Sequence, residues 1–180
     1  VGLIYYSPQH CFRGYTLTTN LRGYHAHLID MEGRVCHRWH SPEGIEYAYL
    51  LPNGHLLLRT HAPKDAGGAE TIGGASAALL ELDWEGNVVW AHRNPMLHHD
   101  FERLPNGNTL VLLWERMPAE LTAQVQGGFT TDDDPEQMFG DLVQEVTPEG
   151  EVVYQWHSWE HLSPEEDVIC PLEGRREWTH

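Results

Sequence analysis

Short runs of alternating apolar and polar residues, separated by turns, cover most of the chain. Such runs predict β-strands, because successive side chains of a strand point to opposite faces. The clearest runs are at 26–30, 35–39, 47–51 and 55–59. Sustained helical periodicity is absent, and short helices are expected only at 118–126 and 164–168. The pattern predicts an all-β protein.

The same pattern recurs with a fixed period. Gly33 and Gly86 close equivalent turns 53 positions apart, and so do Gly54 and Gly107, the glycines of two Leu-Pro-Asn-Gly turns. Glycine suits these turns because they need a positive φ. A third copy begins at Asp141, after an insertion of 11 residues. The chain therefore contains two full repeats and part of a third.

Four short strands per repeat is the size of one blade of a β-propeller. We therefore predict a single, partial β-propeller domain of about three blades, at 14–60, 61–115 and 116–180, the last one incomplete. A sandwich or small barrel is the alternative, disfavoured because sandwiches seldom repeat internally. A ring closes with about 4 to 8 blades, so a longer chain, another subunit or a homo-oligomer would complete it.

Composition narrows the class of protein. Hydrophobic residues make up 41% of the chain, which is typical of a globular domain. The 11 Lys and Arg against 27 Asp and Glu give a net charge of −16, which argues against nucleic acid or an anionic membrane as partner. No apolar run reaches the length of a membrane span.

Cysteine usage bears on the compartment. Cys11, Cys36 and Cys170 show no paired spacing, so we interpret them as buried, reduced thiols in a reducing compartment. The sequence has no recognisable signal peptide at its start. We expect a cytoplasmic location, or a periplasmic one if a signal peptide has been removed.

The most specific chemical motif is His98-His99-Asp100. The equivalent residues one repeat earlier are Ile45-Glu46-Tyr47, so the repeat itself does not require histidine there. Imidazole suits acid–base or nucleophilic work near neutral pH, and it also binds metals. Because side chains alternate along a strand, we expect one of the two histidines to face a central channel and the other to pack between blades.

Further candidates surround this motif. His25 and His27 share one strand face and are the second-best channel candidates. Trp178, beside His180, is also a channel candidate, whereas Trp39 recurs after a turn glycine and indicates blade packing. His37 and His40 are interpreted as packing residues as well, and the segments 62–76 and 117–140 are predicted as loops.

Several of these motifs together resemble the bacterial arylsulfotransferase (ASST-type) family. They are GYTL at 14–17, LIDMEGRVCHRW at 28–39, LPNGHLL at 51–57, ELDWEGNVVW at 81–90, HHDFERLPNGNTL at 98–110 and EWTH at 177–180. The last two are the most specific, and the resemblance covers about residues 14–180. It identifies the chain as similar to the N-terminal half of such a protein.

The resemblance implies a six-bladed propeller whose funnel binds an aryl sulfate. A histidine would take the sulfuryl group from the donor and pass it to a phenol, with no cofactor and no metal. It implies catalytic roles for His98, His99 and His180, and substrate-binding roles for Asp100, His25, His27 and Trp178. The histidine that accepts the sulfuryl group in the family, and a later Arg, belong to the C-terminal half.

Two alternatives stay open at this point. A His/Asp metal site in the funnel would carry out hydrolysis, elimination or oxidation, and the 13 histidines make metal binding a reasonable alternative. A non-catalytic propeller would serve as a binding or assembly module.

Overall fold

The computed structural model describes residues 4–66, 69–125, 138–167 and 176–179. Within these ranges the chain forms three antiparallel sheets and almost no helix. The first sheet contains β1 (Thr16–Thr19), β2 (Gly23–Ile29) and β3 (Val35–Ile45). The second contains β4 (Tyr47–Leu50), β5 (Leu56–Arg59), β6 (Ala78–Leu82) and β7 (Val88–Arg93). The third contains β8 (Leu97–Arg103), β9 (Thr109–Arg116), β10 (Phe139–Val146) and β11 (Val152–His157).

The all-β class predicted from alternation is confirmed. Neighbouring strands in each sheet are consecutive in the chain. Helix is limited in the described ranges to α1 (Ala119–Thr122) and to the 3-10 turns Ala69–Thr71 and Ser158–Glu160. The helix expected at 118–126 is thus one turn, and 164–167 forms turns instead. The propeller and its number of blades stay a prediction.

The sheets and the sequence repeats have different boundaries. The second sheet takes β4 and β5 from the first repeat and β6 and β7 from the second. β5 hydrogen-bonds to β6 from Leu56↔Leu82 to Arg59↔Leu79, across the connection at 60–77. The repeat length sets the spacing of the hairpins along the chain but does not decide which hairpins share a sheet. The predicted blade limits at 60/61 and 115/116 therefore fall inside the second and third sheets.

The chain divides into two compact units. The first unit comprises 1–61 and 77–93, and the second comprises 62–76 and 94–180. The core of the first unit lies between its two sheets. It is formed by Ala26, Leu28, Trp39 and Ile45 from the first sheet and by Leu56, Leu58, Ala78, Leu80 and Leu82 from the second.

Two aromatic contacts join these sheets. Trp39 is 1% exposed, and its Nε1 donates to the carbonyl of Asp83 at 3.0 Å. His37 stacks on Trp84 with ring centroids 4.0 Å apart. The predicted packing roles of Trp39 and His37 are therefore confirmed. The packing role predicted for His40 is wrong, because His40 is exposed on the opposite face of β3. The expected burial of Cys11 and Cys36 is also wrong, since both free thiols are exposed, and Cys170 lies outside the described residues.

The core of the second unit has two parts. One contains Ala69, Ile72, Trp114 and Phe139. The other contains Met117, Met138 and Trp178. The segment 69–72 thus packs on the third sheet, which gives the second unit a support for residues at the end of β8. No helix within the described ranges is long and apolar enough to cross a membrane.

The turns between strands use glycine and a hydrogen-bonding first residue. Gly86 has φ +88°, and its N–H donates to the carbonyl of Asp83. The Asp83 carboxylate accepts from the Asn87 N–H at 2.7 Å and from Asn87 Nδ2 at 2.8 Å. The Asn87 side chain, followed by backbone N–H groups, lowers the pKa of Asp83.

This turn predicts a pH-dependent stability. Because its folded-state pKa lies below the unfolded value of about 3.9, Asp83 stabilises the fold above that value and loses this effect as pH falls through the lower one. We expect the difference in free energy of unfolding between wild type and Asp83→Asn to shrink from about pH 5 to about pH 2. Urea titrations at fixed pH values measure the free energy of unfolding of each protein. A difference between them that stays constant from about pH 5 to about pH 2 would contradict a lowered pKa of Asp83 in the folded state.

Candidate functional site

The His98–His99 pair lies where β8 departs from regular pairing. The register against β9 shifts between Leu97↔Leu113 and Phe101↔Val111. His99 has φ +45°, in the left-handed region that non-glycine residues seldom occupy. Strain of this kind is concentrated at functional sites. The positive φ of His99 therefore makes this residue the first candidate for a functional role in the second unit.

The two imidazoles contact each other. The Nδ1 atoms of His98 and His99 are 3.1 Å apart, and the rings meet edge to face at 5.3 Å. The bulge and the positive φ of His99 interrupt strand alternation and bring the two imidazoles together. Which of the two faces a central channel stays a prediction.

His98 is fixed between an indole and a carboxylate. Its side chain is 0% exposed and stacks on Trp114, with ring centroids 3.5 Å apart and planes 8° apart. Its Nε2 lies 3.3 Å from Asp141 Oδ1, at ion-pair distance. Trp114 and Asp141 face each other across β9 and β10, so one rung of the sheet supplies both contacts.

Asp141 is held in place in turn. Thr179 Oγ1 donates to Asp141 Oδ2 at 2.7 Å, and the Asp141 N–H donates to Ser158 Oγ at 3.1 Å. These contacts extend the array from His99 through His98 and Asp141 to Thr179. Asp141 is therefore held by two further segments of the second unit, at Ser158 and at Thr179.

Gly74 forms the wall beside His99. The His99 N–H donates to the Gly74 carbonyl at 3.0 Å, and Gly74 has φ +81°. A Cβ at position 74 would overlap the His99 ring, so only glycine leaves room for the imidazole. Sequence reasoning missed this contact, although the glycine-rich composition of 62–76 was the available signal.

The tautomers of the two imidazoles are linked. Each imidazole has two nitrogens, and two neutral rings in Nδ1–Nδ1 contact need one donor and one acceptor. When the His98 proton is on Nε2, the nitrogen nearer to Asp141, His98 Nδ1 accepts from His99 Nδ1. In that tautomer His99 Nε2 carries a lone pair, which a nucleophile or a general base requires.

With this geometry established, comparison with known proteins decides the family. The family model described as arylsulfotransferase (ASST) matches residues 18–180. The chain belongs to the arylsulfotransferase family. The resemblance predicted from the HHDF and EWTH motifs is thereby confirmed.

Two further comparisons add little about function. A solved structure of a protein of unknown function from Bacteroides caccae is similar, at 15% identity and a TM-score of 0.49. The match covers 83% of this chain and 47% of that chain, so the present sequence spans about half the length of that protein. No curated protein matches the sequence.

The remaining candidates in this arylsulfotransferase-family chain lie apart from the imidazole pair. Asp100 is exposed, and its Oδ1 accepts from the N–H of Phe101 at 2.9 Å. Together with six neighbours it lines a cavity of about 180 Å³, formed by Phe101, Glu102, Leu110, Val111, Leu112 and Val143. Asp100 therefore belongs to the rim of an apolar recess in the second unit.

Trp178 is 2% exposed and packs against Met117 and Met138. The backbone N–H of Trp178 donates to the Phe139 carbonyl at 2.8 Å. The indole thus belongs to the core beside Asp141 and Thr179, and its contact with substrate stays a prediction. His180 lies outside the described residues.

His25 and His27 belong to the first unit and lie on one face of β2, as predicted. Their rings are 6.0 Å apart. Desolvation, then the charges of His40, Arg38 and His27, lower the pKa of His25. Among the described residues, no group of three or more His, Cys, Asp or Glu side chains is arranged to hold a metal ion.

Proposed function

We propose that this chain is part of an enzyme that moves a sulfuryl group from an aryl sulfate to a phenol. We also propose that His99 is the imidazole that meets the group. This assignment departs from the resemblance, which implies an accepting histidine in the C-terminal half, and mapping of the sulfonated residue decides between the two. Family membership over residues 18–180 supports the reaction class. The observation that supports the residue is the contact between His99 and the buried His98, whose Nε2 lies 3.3 Å from Asp141 Oδ1. One tautomer of this array places a lone pair on His99 Nε2.

The reaction would proceed in two displacements. In the first, His99 Nε2 attacks sulfur, an S–N bond forms, and the S–O bond to the aryl group breaks with its electron pair leaving on the phenolate. The Nδ1 proton of the sulfonated ring moves to Nδ1 of His98, 3.1 Å away, and Nε2 of His98 lies 3.3 Å from the Asp141 carboxylate. In the second, the acceptor phenol attacks sulfur and loses its proton to solvent, where the departed phenolate takes up a proton. The S–N bonding pair returns to Nε2, and His98 returns the Nδ1 proton to His99.

We also propose that the three sheets are blades of a propeller. The 53-residue repeat supports this, since the sheets are built from consecutive antiparallel strands joined by similar glycine-containing turns. Six blades, with the remainder supplied by further residues of the same protein or by another subunit, is the arrangement that the family resemblance favours.

The reaction is tested with 4-nitrophenyl sulfate as donor and phenol as acceptor. We expect nitrophenolate release to depend on phenol with ping-pong kinetics, and to continue after treatment with a chelator. Intact-mass analysis without acceptor should show one added sulfuryl group, mapped by peptide sequencing to His99. A folded protein that transfers no sulfuryl group, or whose activity disappears with the chelator, would overturn the proposal and favour the metal-dependent alternative.

A further inference from the structure

A second histidine–carboxylate pair lies in the third sheet. Nδ1 of His157, at the end of β11, is 2.8 Å and 2.9 Å from the two carboxylate oxygens of Glu115 in β9. Both side chains are half-buried. An ionised carboxylate only accepts hydrogen bonds, so this contact places a proton on His157 Nδ1. Neither residue takes part in the two displacements proposed for His99.

The pair reaches across β10 at a position without a side chain. Glu115 faces Gly140 from β9, and His157 faces Leu142 from β11, so both side chains lie on one face of the sheet. A Cβ at position 140 would lie 2.7 Å from Ser158 Oγ. Glycine therefore keeps this part of β10 clear for the Ser158 hydroxyl.

Ser158 connects the pair to the imidazole array. Regular pairing of β10 with β11 ends at Leu142↔His157. The next residue, Ser158, is fully buried, and its Oγ accepts the Asp141 N–H at 3.1 Å. The residue after His157 thus holds the backbone of Asp141, whose carboxylate lies 3.3 Å from His98 Nε2.

Glu115 and His157 depend on each other inside the sheet. Burial raises the pKa of Glu115, whereas the hydrogen bond and the charge of His157 oppose this shift, and Glu160 adds to it. Removal of either partner leaves the other half-buried without its hydrogen bond. The pair therefore holds the end of β11 against β9 and restricts the position of Ser158.

We propose that Glu115 and His157 are positioning residues for sulfuryl transfer. They act through Ser158, which holds Asp141 at its distance from His98. The assignment rests on the function proposed for His99, but the link from Glu115 to Asp141 requires no reaction. Because neither member of the pair touches the substrate, its loss should lower kcat and leave KM unchanged.

The kinetic test is a double-mutant cycle with 4-nitrophenyl sulfate and phenol. We expect Glu115→Ala to lower kcat about tenfold. Glu115→Gln should stay within about twofold of wild type, because its amide oxygen still accepts from His157 Nδ1. In an Asp141→Asn background, Glu115→Ala should cause no further loss. Losses that add in the double variant, or equal losses for the Ala and Gln variants, would overturn the positioning role.

The link to Asp141 is measured without substrate. Hydrogen exchange of the Asp141 amide, followed by NMR, reports its bond to Ser158 Oγ. We expect about tenfold faster exchange in Glu115→Ala, with a smaller change at Val143. Unchanged exchange at Asp141 overturns the inference, whatever the activity. A wild type that transfers no sulfuryl group while Glu115→Ala accelerates this exchange supports the link and overturns the proposed function alone.

A second variant covers the case in which Glu115→Ala does not fold. Gly140→Ala places a methyl group against the same Ser158 hydroxyl, so it should also accelerate exchange at Asp141 and lower kcat. A folded Gly140→Ala with the exchange and kcat of the wild type would contradict the link through Ser158.

Glu145→Ala is the matched control. Glu145 is a half-buried glutamate of the same strand as Asp141, near the other end of β10, and its Oε1 accepts from Asn108 Nδ2 at 2.6 Å. Its loss should leave kcat and the exchange of the Asp141 amide unchanged. An effect at Asp141 as large as that of Glu115→Ala would show that any buried glutamate of this sheet supports Asp141, and would overturn the specific assignment.

Discussion

His99→Ala is expected to lower the rate of sulfuryl transfer about a thousandfold or more, with little loss of stability. The imidazole is half-buried at a strained backbone position, so its removal leaves the core of the second unit intact. Loss of a nucleophile or base that meets the reacting group typically costs this much. Steady-state kinetics with 4-nitrophenyl sulfate and phenol measure kcat and kcat/KM.

Substitution of Asp141, which would act through His98, should change the kinetics differently from substitution of His99. Asp141→Asn keeps the shape and the contact with Thr179 but removes the charge beside Nε2 of His98. We expect a smaller loss of about 10- to 100-fold, together with a changed pH profile of kcat. His55→Gln serves as control, because His55 pairs with Glu81 in the first unit. Equal activity of His99→Ala and wild type would exclude His99 from the reaction.

Trp39→Ala is expected to lower the free energy of unfolding by about 3–5 kcal/mol, the usual effect of truncating a fully buried tryptophan. Trp39 fills the space between the first and second sheets and anchors them through its bond to the Asp83 carbonyl. A cavity at this position removes contacts from both sheets at once. Urea unfolding followed by far-UV circular dichroism measures the change.

Trp84→Ala is the comparison for this effect. Trp84 touches Trp39 and His37 but is 46% exposed, so its truncation removes less buried surface. We expect a loss of about 1 kcal/mol. Trp39→Phe should fall between the two alanine variants, since it keeps an aromatic ring without the indole N–H. A loss at Trp39 no larger than that at Trp84 would show that the indole does not hold the sheets together.

Local features of the sequence determined the strands, the turns and the family. Alternation over five or six residues predicts strands such as β3 and β7, and each turn glycine adopts the positive φ that its position requires, as at Gly33 and Gly86. The repeated tryptophan marked Trp39 as a packing residue because a blade scaffold needs the same contact each time it recurs. Strands and turns depend on residues a few positions apart in the chain, and their pattern can be read from the sequence directly.

The tertiary structure alone decided which residues form the site. The bulge in β8 turned His99 toward His98, and strand pairing brought Trp114 and Asp141 to the same imidazole from two further strands. The Gly74 carbonyl accepts the N–H of His99, although the sequence predicted the segment of Gly74 only as a loop. Contacts between residues tens of positions apart depend on register and on bulges. Period and composition leave both undetermined, because one repeat length is compatible with several pairings of its hairpins.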